Sequence, residues 1–316
     1  MSHSYQMLPL GITMGDAAGI GPEIIIKTLA SGRYAPESLL IYGDEAILKS
    51  TAKRLGYSDL FIPIRHCGFS LGEIKLGEIQ AQAGKGAFLY LKTAIEDALS
   101  GKIKGITTAP LHKVSLKLAG YDYPGHTEIL AELTHSPDVA MMLLNDEIRT
   151  LLATIHVPLS QVPALITRPS QERLIHLAHQ VCLQLGISHP RIAIAGLNPH
   201  AGEEGRFGTE EQNIIIPAIQ HMQSRGLQVS GPYPSDTVFM RARKGEFDIV
   251  IAQYHDQGLI PVKYLGLDKG VNVTVGLPII RTSVDHGTAF DIAGQGIADP
   301  ESLMTAIDVA LNMEKI

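Results

Sequence analysis

The chain has 316 residues, 45% of them apolar, with 5% aromatic residues, no tryptophan and a formal charge of −6, which is apolar material enough for one large or two ordinary domains. Scarce aromatics and scattered Lys and Arg exclude a stacking platform or a basic surface for nucleic acid. Two distant cysteines, Cys67 and Cys182, exclude a disulfide framework, and the lack of an apolar run of about 18 residues excludes a membrane span.

Leu10 to Met14 reads as a short buried strand that ends in Gly15-Asp16. Pro22 to Leu29 reads as a helix with proline early in its first turn, where proline is tolerated. Leu39 to Tyr42 is a second strand. Phe88, Leu91, Ile95 and Leu99 recur at helical spacing, and Gly101 closes that helix. Ile103 to Thr107 is a strand broken by Ala109-Pro110, Ile129 to Leu133 a short helix, and Arg149 to Ile155 another strand. Leu174, Leu177, Ala178, Val181, Cys182 and Leu185 mark a helix ending at Gly186, with Cys182 buried as a small hydrophobe. Ile192 to Leu197, Ile249 to Ala252 and Val271 to Val275 are strands, and Ser302 to Met313 is a final helix. The alternation predicts an α/β protein with helices over a largely parallel sheet. On length, two domains are expected, with crossings near Gly125 to Glu128 and Ser283 to Thr288: residues 1–127 plus 285–316, and residues 128–284. Residues Met1–Met7 lack a basic segment followed by an apolar one, so a cytoplasmic protein is expected.

Three segments place a histidine just past a strand: Thr154-Ile-His156-Val-Pro158, Gly196-Leu-Asn-Pro-His200-Ala-Gly-Glu203 and Gln253-Tyr-His255-Asp-Gln-Gly258. The C-terminal ends of strands are where α/β folds put their sites. Singly, each histidine would suit a structural role. Together, three neutral imidazoles suit one Zn²⁺ ion, tolerate Co²⁺ or Mn²⁺, and leave coordination positions open. Asp256 could orient His255 as an acceptor or could cap a loop.

Other segments suit an anion. His126-Thr127 follows Gly125 and precedes a helix, so its donors could hold a phosphate or carboxylate, or Thr127 could simply cap the helix. Lys263 and Arg281 flank the strand Val271 to Val275, with Asn272 inside it, and would make an anion clamp. Asp236 sits beside Thr237 in what reads as a loop, placed either for structure or for a substrate amine or a metal. Gly15-Asp-Ala-Ala-Gly-Ile-Gly-Pro-Glu23 is a glycine-rich turn but neither a dinucleotide fingerprint nor a phosphate-binding Walker loop. It is either a tight turn or a place where backbone approaches a ligand.

With Tyr123-Pro-Gly-His-Thr-Glu128, Tyr254-His-Asp-Gln-Gly258 and Gly276-Leu-Pro-Ile-Ile-Arg-Thr-Ser-Val-Asp-His-Gly-Thr288 added, these motifs resemble the 4-hydroxythreonine-4-phosphate dehydrogenase family of pyridoxal phosphate biosynthesis, from about Gly11 to about Ile307. The resemblance implies two α/β domains similar to isocitrate and isopropylmalate dehydrogenases, with the active site in the cleft and at a homodimer interface. It implies NAD or NADP as oxidant and one divalent metal per site (Zn, Mg or Co) on His156, His200 and His255, with ligands from both subunits. His126, Thr127, Lys263, Asn272 and Arg281 match the family's substrate-binding positions, and Asp236 an active-site aspartate. Lys263 and Asp236 are the candidate bases. The substrate is then a phosphorylated four-carbon hydroxy acid: 4-phosphohydroxy-L-threonine, or alternatively 4-phospho-D-threonate or 4-phospho-D-erythronate. The chain departs from the family's common pattern at Ala17 (usually proline), His112 (asparagine), Gln253 (methionine) and Leu259-Ile-Pro-Val262. The last of these leans toward the sugar-acid relatives. From the residues alone, a hydrolase using metal-bound water or an idle phosphosugar-binding protein remains open.

Overall fold

The computed structural model describes residues 8–266 and 270–315, so the opening segment Met1–Met7 lies outside the described residues. In chain order the first part runs β1 (Leu10–Thr13), α1 (Gly21–Ala30), β2 (Leu39–Tyr42), α2 (Glu45–Arg54), β3 (Ile64–Arg65), α3 (Ala81–Leu99), β4 (Gly105–Thr108), α4 (Lys113–Leu118) and α5 (His126–Leu133). Next come β5 (Ala140–Leu144), β6 (Arg149–Leu152), α6 (Val162–Leu165), α7 (Arg168–Gln184), β7 (Ile192–Ala195), α8 (Ile216–Ser224) and β8 (Val229–Tyr233). The chain ends with α9 (Ser235–Arg243), β9 (Ile249–Ala252), α10 (His255–Tyr264), β10 (Val271–Val275), β11 (Ile280–Val284) and α11 (Glu301–Asn312). No helix among the described residues is long and apolar enough to cross a membrane.

The chain divides into two units. One runs to Val139 and resumes at Leu277–Asn312; the other is Ala140–Gly276 with the residues from Met313. The crossings thus fall at 139/140 and 276/277, where the sequence suggested 127/128 and 284/285. Two contacts explain the shift. Helix α5 buries Ile129 and Leu130 and packs on α3, and β11 pairs in parallel with β4.

In the first unit the strand order is β3-β2-β1-β4-β11 with every pair parallel. The order reverses between β1 and β4, the kind of place where open α/β sheets admit ligands past their strand ends. The glycine-rich turn lies there. Gly15 takes φ 69°, and a Cβ on it would stand 2.2 Å from the Pro110 carbonyl oxygen, so only glycine fits. Asp16 N–H donates to the Pro110 carbonyl at 2.9 Å, and Asp16 Oδ1 accepts from Ala18 N–H at 2.9 Å. Glu23 accepts from Gly296 and Ala298 N–H at 3.1 and 2.8 Å and pairs with Lys27. Residues 11–20 are all buried, so this turn serves the fold.

In the second unit the order is β10-β5-β6-β9-β7-β8. The pairs β10/β5 and β5/β6 are antiparallel, and β6/β9, β9/β7 and β7/β8 are parallel. The expected parallel sheet therefore holds throughout the first unit, while the second is mixed. The departure is the β5–β6 hairpin, whose turn is closed by Asn145 Oδ1 accepting from Glu147 and Ile148 N–H at 2.9 Å each. Its core joins Leu143, Leu152, Ala193, Val250 and Val262. Cys182 is fully buried on α7, and burial pushes its thiol up to about 12, which leaves it an inert hydrophobe.

Candidate active site

All three singled-out histidines lie past the C-terminal ends of neighbouring parallel strands. His156 follows β6, His255 follows β9 and His200 follows β7, in the order β6-β9-β7. The rings of His156 and His255 have centroids 5.8 Å apart at an interplanar angle of 41°. Two imidazoles bound at 2.0–2.1 Å to one tetrahedral ion put their ring centres roughly 5 Å apart, so this pair is close to a chelating geometry. His255 is the first residue of α10, and its Nδ1 meets Asp256 Oδ1 at 2.7 Å. That bond leaves Nε2 for a ligand, the arrangement in which a carboxylate sets the tautomer of a metal-binding imidazole. His200 is exposed, its ring 6.1 Å from that of Phe207. Among the described residues no group of three or more His, Cys, Asp or Glu side chains is assembled for a metal within one chain. The donor chemistry fits a divalent ion at the His156/His255 pair, with its further ligands still to be supplied.

Behind these loops lies an amide network that the sequence did not reveal. Gln253 is fully buried. Its Nε2 donates to the Ala195 carbonyl at 2.9 Å, and its Oε1 accepts from Gln171 Nε2 at 3.0 Å. Its backbone N–H donates to Gln257 Oε1 at 2.6 Å, and its carbonyl accepts from Thr154 Oγ1 at 2.8 Å. Gln257 Nε2 in turn donates to the Gly196 carbonyl at 2.7 Å. The ends of β6, β7 and β9, each leading to one histidine, are thereby tied to one another. Gln253 stands where methionine is usual in the family the chain resembles, and its side chain points into the core. Gln253→Met is expected to cost about 1–3 kcal/mol by leaving buried amide partners unsatisfied, while the ratio of kcat/KM between competing substrates stays at the parent value. Urea denaturation and paired kinetics check both halves.

Lys263 lies two turns along α10 from His255, about 12 Å along the axis. Asn145 Nδ2 donates to the Val262 carbonyl at 3.2 Å and anchors that end of the helix. In β10, Asn272 Oδ1 is buried and has no hydrogen-bond partner among the described residues. An acceptor left this way suits a hydroxyl or amine of a ligand. Asp236 is exposed in the first turn of α9, past the end of β8; the segment read as a loop is a strand end running straight into a helix.

The first unit holds His126, Thr127 and Arg281. His126 and Thr127 are the first two residues of α5, whose N-cap is Gly125 with no side-chain cap. Thr127 therefore does not cap the helix, and the N-terminal N–H groups are not occupied by a capping side chain, which suits an anion. Arg281 is buried on β11, and one of its terminal nitrogens donates to Thr108 Oγ1 at 2.8 Å. Thr108 Oγ1 in turn donates to Ser283 Oγ at 2.9 Å. Burial pushes the Arg281 guanidinium down to about 9, with Glu128 opposing, and it remains a cation at neutral pH. Burial first, and the Arg281 charge second, hold His126 well below its usual 6.5. His126 is thus a neutral donor at pH 7. Below pH 6.5 the unfolded chain takes up this proton before the folded one, so stability falls as pH drops through the window between the two values. Melting curves of the parent and His126→Asn below pH 6.5 should show the steeper loss in the parent.

His112 stands where asparagine is usual in the family the chain resembles, and it caps a helix. Its Nδ1 accepts from Ser115 N–H at 3.3 Å as the N-cap of α4, and its ring stacks on Phe290 at 4.7 Å.

Residues 36–310 match the family model described as pyridoxal phosphate biosynthetic protein PdxA. A 4-hydroxythreonine-4-phosphate dehydrogenase of Beijerinckia indica is 50% identical, covering 97% of this chain and 95% of that protein. A putative D-threonate 4-phosphate dehydrogenase of Oceanobacillus iheyensis is 47% identical, covering 96% and 97%. The crystal structure of 4-hydroxythreonine-4-phosphate dehydrogenase from Klebsiella pneumoniae superposes with a TM-score of 0.87 at 42% identity, covering 96% of this chain and 98% of that one. A β-decarboxylating dehydrogenase of Thermococcus kodakarensis, 16% identical with a TM-score of 0.51, covering 98% of this chain and 85% of that one, shares the fold alone. The chain is a dehydrogenase that belongs to the PdxA family of pyridoxal phosphate biosynthetic proteins.

Proposed function

We propose that this protein oxidises 4-phosphohydroxy-L-threonine with NAD⁺ or NADP⁺ to 2-amino-3-oxo-4-phosphohydroxybutanoate, which decarboxylates to 3-amino-2-oxopropyl phosphate. The observation that carries the reading is the His156/His255 pair at adjacent strand ends, with Asp256 fixing one ring. The family membership makes the reaction an alcohol oxidation rather than a hydrolysis. His156 and His255 would hold a divalent ion (Zn, Mg or Co), which would supply Lewis acidity at the substrate, and a nicotinamide would supply the hydride acceptor.

The chain's own residues bind and orient. Arg281, steered by Thr108, His126 as a neutral donor, and Thr127 at the start of α5 hold the phosphate or carboxylate ends of the substrate. Lys263 adds a cation, and Asn272 Oδ1, without a hydrogen-bond partner among the described residues, accepts a hydrogen bond from a hydroxyl or amine. Asp236 takes the proton of the reacting hydroxyl, or Lys263 does so as the neutral amine and then adds no charge at the substrate. His200 completes the metal set, with ligands drawn from two subunits of a homodimer. An apolar face supports such a partner: Ile260 and Tyr264, one turn apart on α10, are 61% and 89% exposed. Two free thiols fit a reducing cytoplasm.

A second reading, oxidation of 4-phospho-D-threonate, is favoured by the relative at 47% identity bearing that activity in its name. NADH formation with each substrate, with and without a chelator, separates the two. Chelator-sensitive turnover of the first supports the vitamin-pathway reaction. Turnover of the second alone moves the protein to sugar-acid catabolism, and NADH from neither overturns both.

A further inference from the structure

His200 sits in the one stretch of the described chain where successive L-residues take a left-handed backbone. His200, Ala201, Glu203 and Glu204 have φ of 53°, 54°, 42° and 56°, with Gly202 at 82° among them. Each such non-glycine residue carries a steric penalty, so a run of them persists only when the surroundings impose it. Pro199–Gly205 forms tight 3-10 turns, and at its ends Ala201 N–H donates to the Asn198 carbonyl, Arg206 N–H to Glu203 and Phe207 N–H to Gly202, each at 3.1 Å.

A carboxylate from outside the loop holds its start. Glu211 is buried at 1% exposure. Its Oε1 accepts from Leu197 N–H at 2.8 Å and from Asn198 N–H at 2.7 Å, and its Oε2 accepts from Asn198 Nδ2 at 2.9 Å. The loop wraps this group closely, since a Cβ on Gly202 would lie 2.8 Å from Glu211 Oε2. Glu211 opens a π-helical turn, Glu211–Ile215, ahead of α8. Such wide turns recur at functional sites, where they re-aim a side chain.

We propose that Glu211 is a positioning residue for His200: its carboxylate grips the start of the left-handed loop and fixes where the imidazole is presented. This rests on the reading of His200 as a metal ligand. Glu211, buried and bonded to Leu197 and Asn198, acts through the loop. Glu211→Gln keeps the size but sets an amide N–H₂ against the Asn198 amide.

The test uses the full chain with zinc as the probe. Zinc affinity is measured by competition with a chromophoric chelator, melting is measured in EDTA, and loop release is read as trypsin cleavage after Arg206. Glu211→Gln should weaken zinc binding about 10- to 100-fold, expose the Arg206 site to trypsin, and melt in EDTA within about 4 °C of the parent. Asn198→Ala removes the side-chain donor to Glu210 and Glu211 but keeps both backbone donors to Glu211, so it should show a smaller loss in the same direction and serves if Glu211→Gln does not fold. His200→Ala is the reference. Parent-like zinc affinity in both Glu211→Gln and Asn198→Ala, while His200→Ala loses zinc, overturns the positioning role and leaves the ligand reading standing. Parent-like affinity in His200→Ala overturns the ligand reading and the proposal with it.

Discussion

Alanine at His255 is expected to lower kcat about a thousandfold, since a Lewis-acidic ion contributes several kcal/mol to the oxidation and each 1.36 kcal/mol is tenfold in rate. The ring is not part of the core: its side chain is 40% exposed at the first residue of α10. Melting in the presence of a chelator should therefore stay within about 0.5 kcal/mol of the parent, as for a surface substitution. His156→Ala should behave alike, because the two rings adjoin at 5.8 Å. Asp256→Asn should be milder, costing 10- to 100-fold in metal affinity, because it removes the acceptor that orients the His255 ring and not the ligand itself. Metal content and NADH formation are measured on the same preparations. A His255→Ala protein that keeps parent-like metal content and turnover would remove the pair from the site.

Much of this site was legible in the sequence because its signals are local. The runs Leu39–Tyr42, Ile249–Ala252 and Val271–Val275 are strands from end to end, as their dense apolar and β-branched residues require. The helices α3 and α7 show helical spacing, and Gly101 and Gly186 follow them with φ of 73° and 80°. Once the strand ends are known, three histidines past three of them fall on one edge of a sheet. What could not be read depends on distant partners. Helix α10 carries Gly258 and Pro261, which read as breakers, yet it forms because Leu259 and Val262 pack into the core of their unit. Gln253, Gln171 and Glu211 are polar residues whose sequence contexts suggest exposure. Only the tertiary arrangement gives them the donors and acceptors that make burial tolerable.

Replacing Arg281 by methionine should cost binding far more than stability. The guanidinium is 3% exposed, and burial depresses its basicity. The desolvation of a buried cation is repaid most fully when an anion arrives beside it. A bound phosphate or carboxylate would supply that charge, and charge-assisted hydrogen bonds contribute about 1.5–3 kcal/mol each. Arg281→Met should therefore lower kcat/KM by roughly a hundredfold, about 3 kcal/mol, mostly through KM. The unliganded protein should melt close to the parent, because removing a desolvated cation offsets the loss of its Thr108 bond and of the Glu128 attraction. Arg281→Lys should restore little, because a point charge cannot reproduce the planar fork that Thr108 orients at 2.8 Å. Addition of the phosphorylated substrate should raise the melting point of the parent and leave that of Arg281→Met nearly unmoved. If the variant bound substrate like the parent but melted far lower, Arg281 would be a framework cation and the anion site would have to be sought elsewhere.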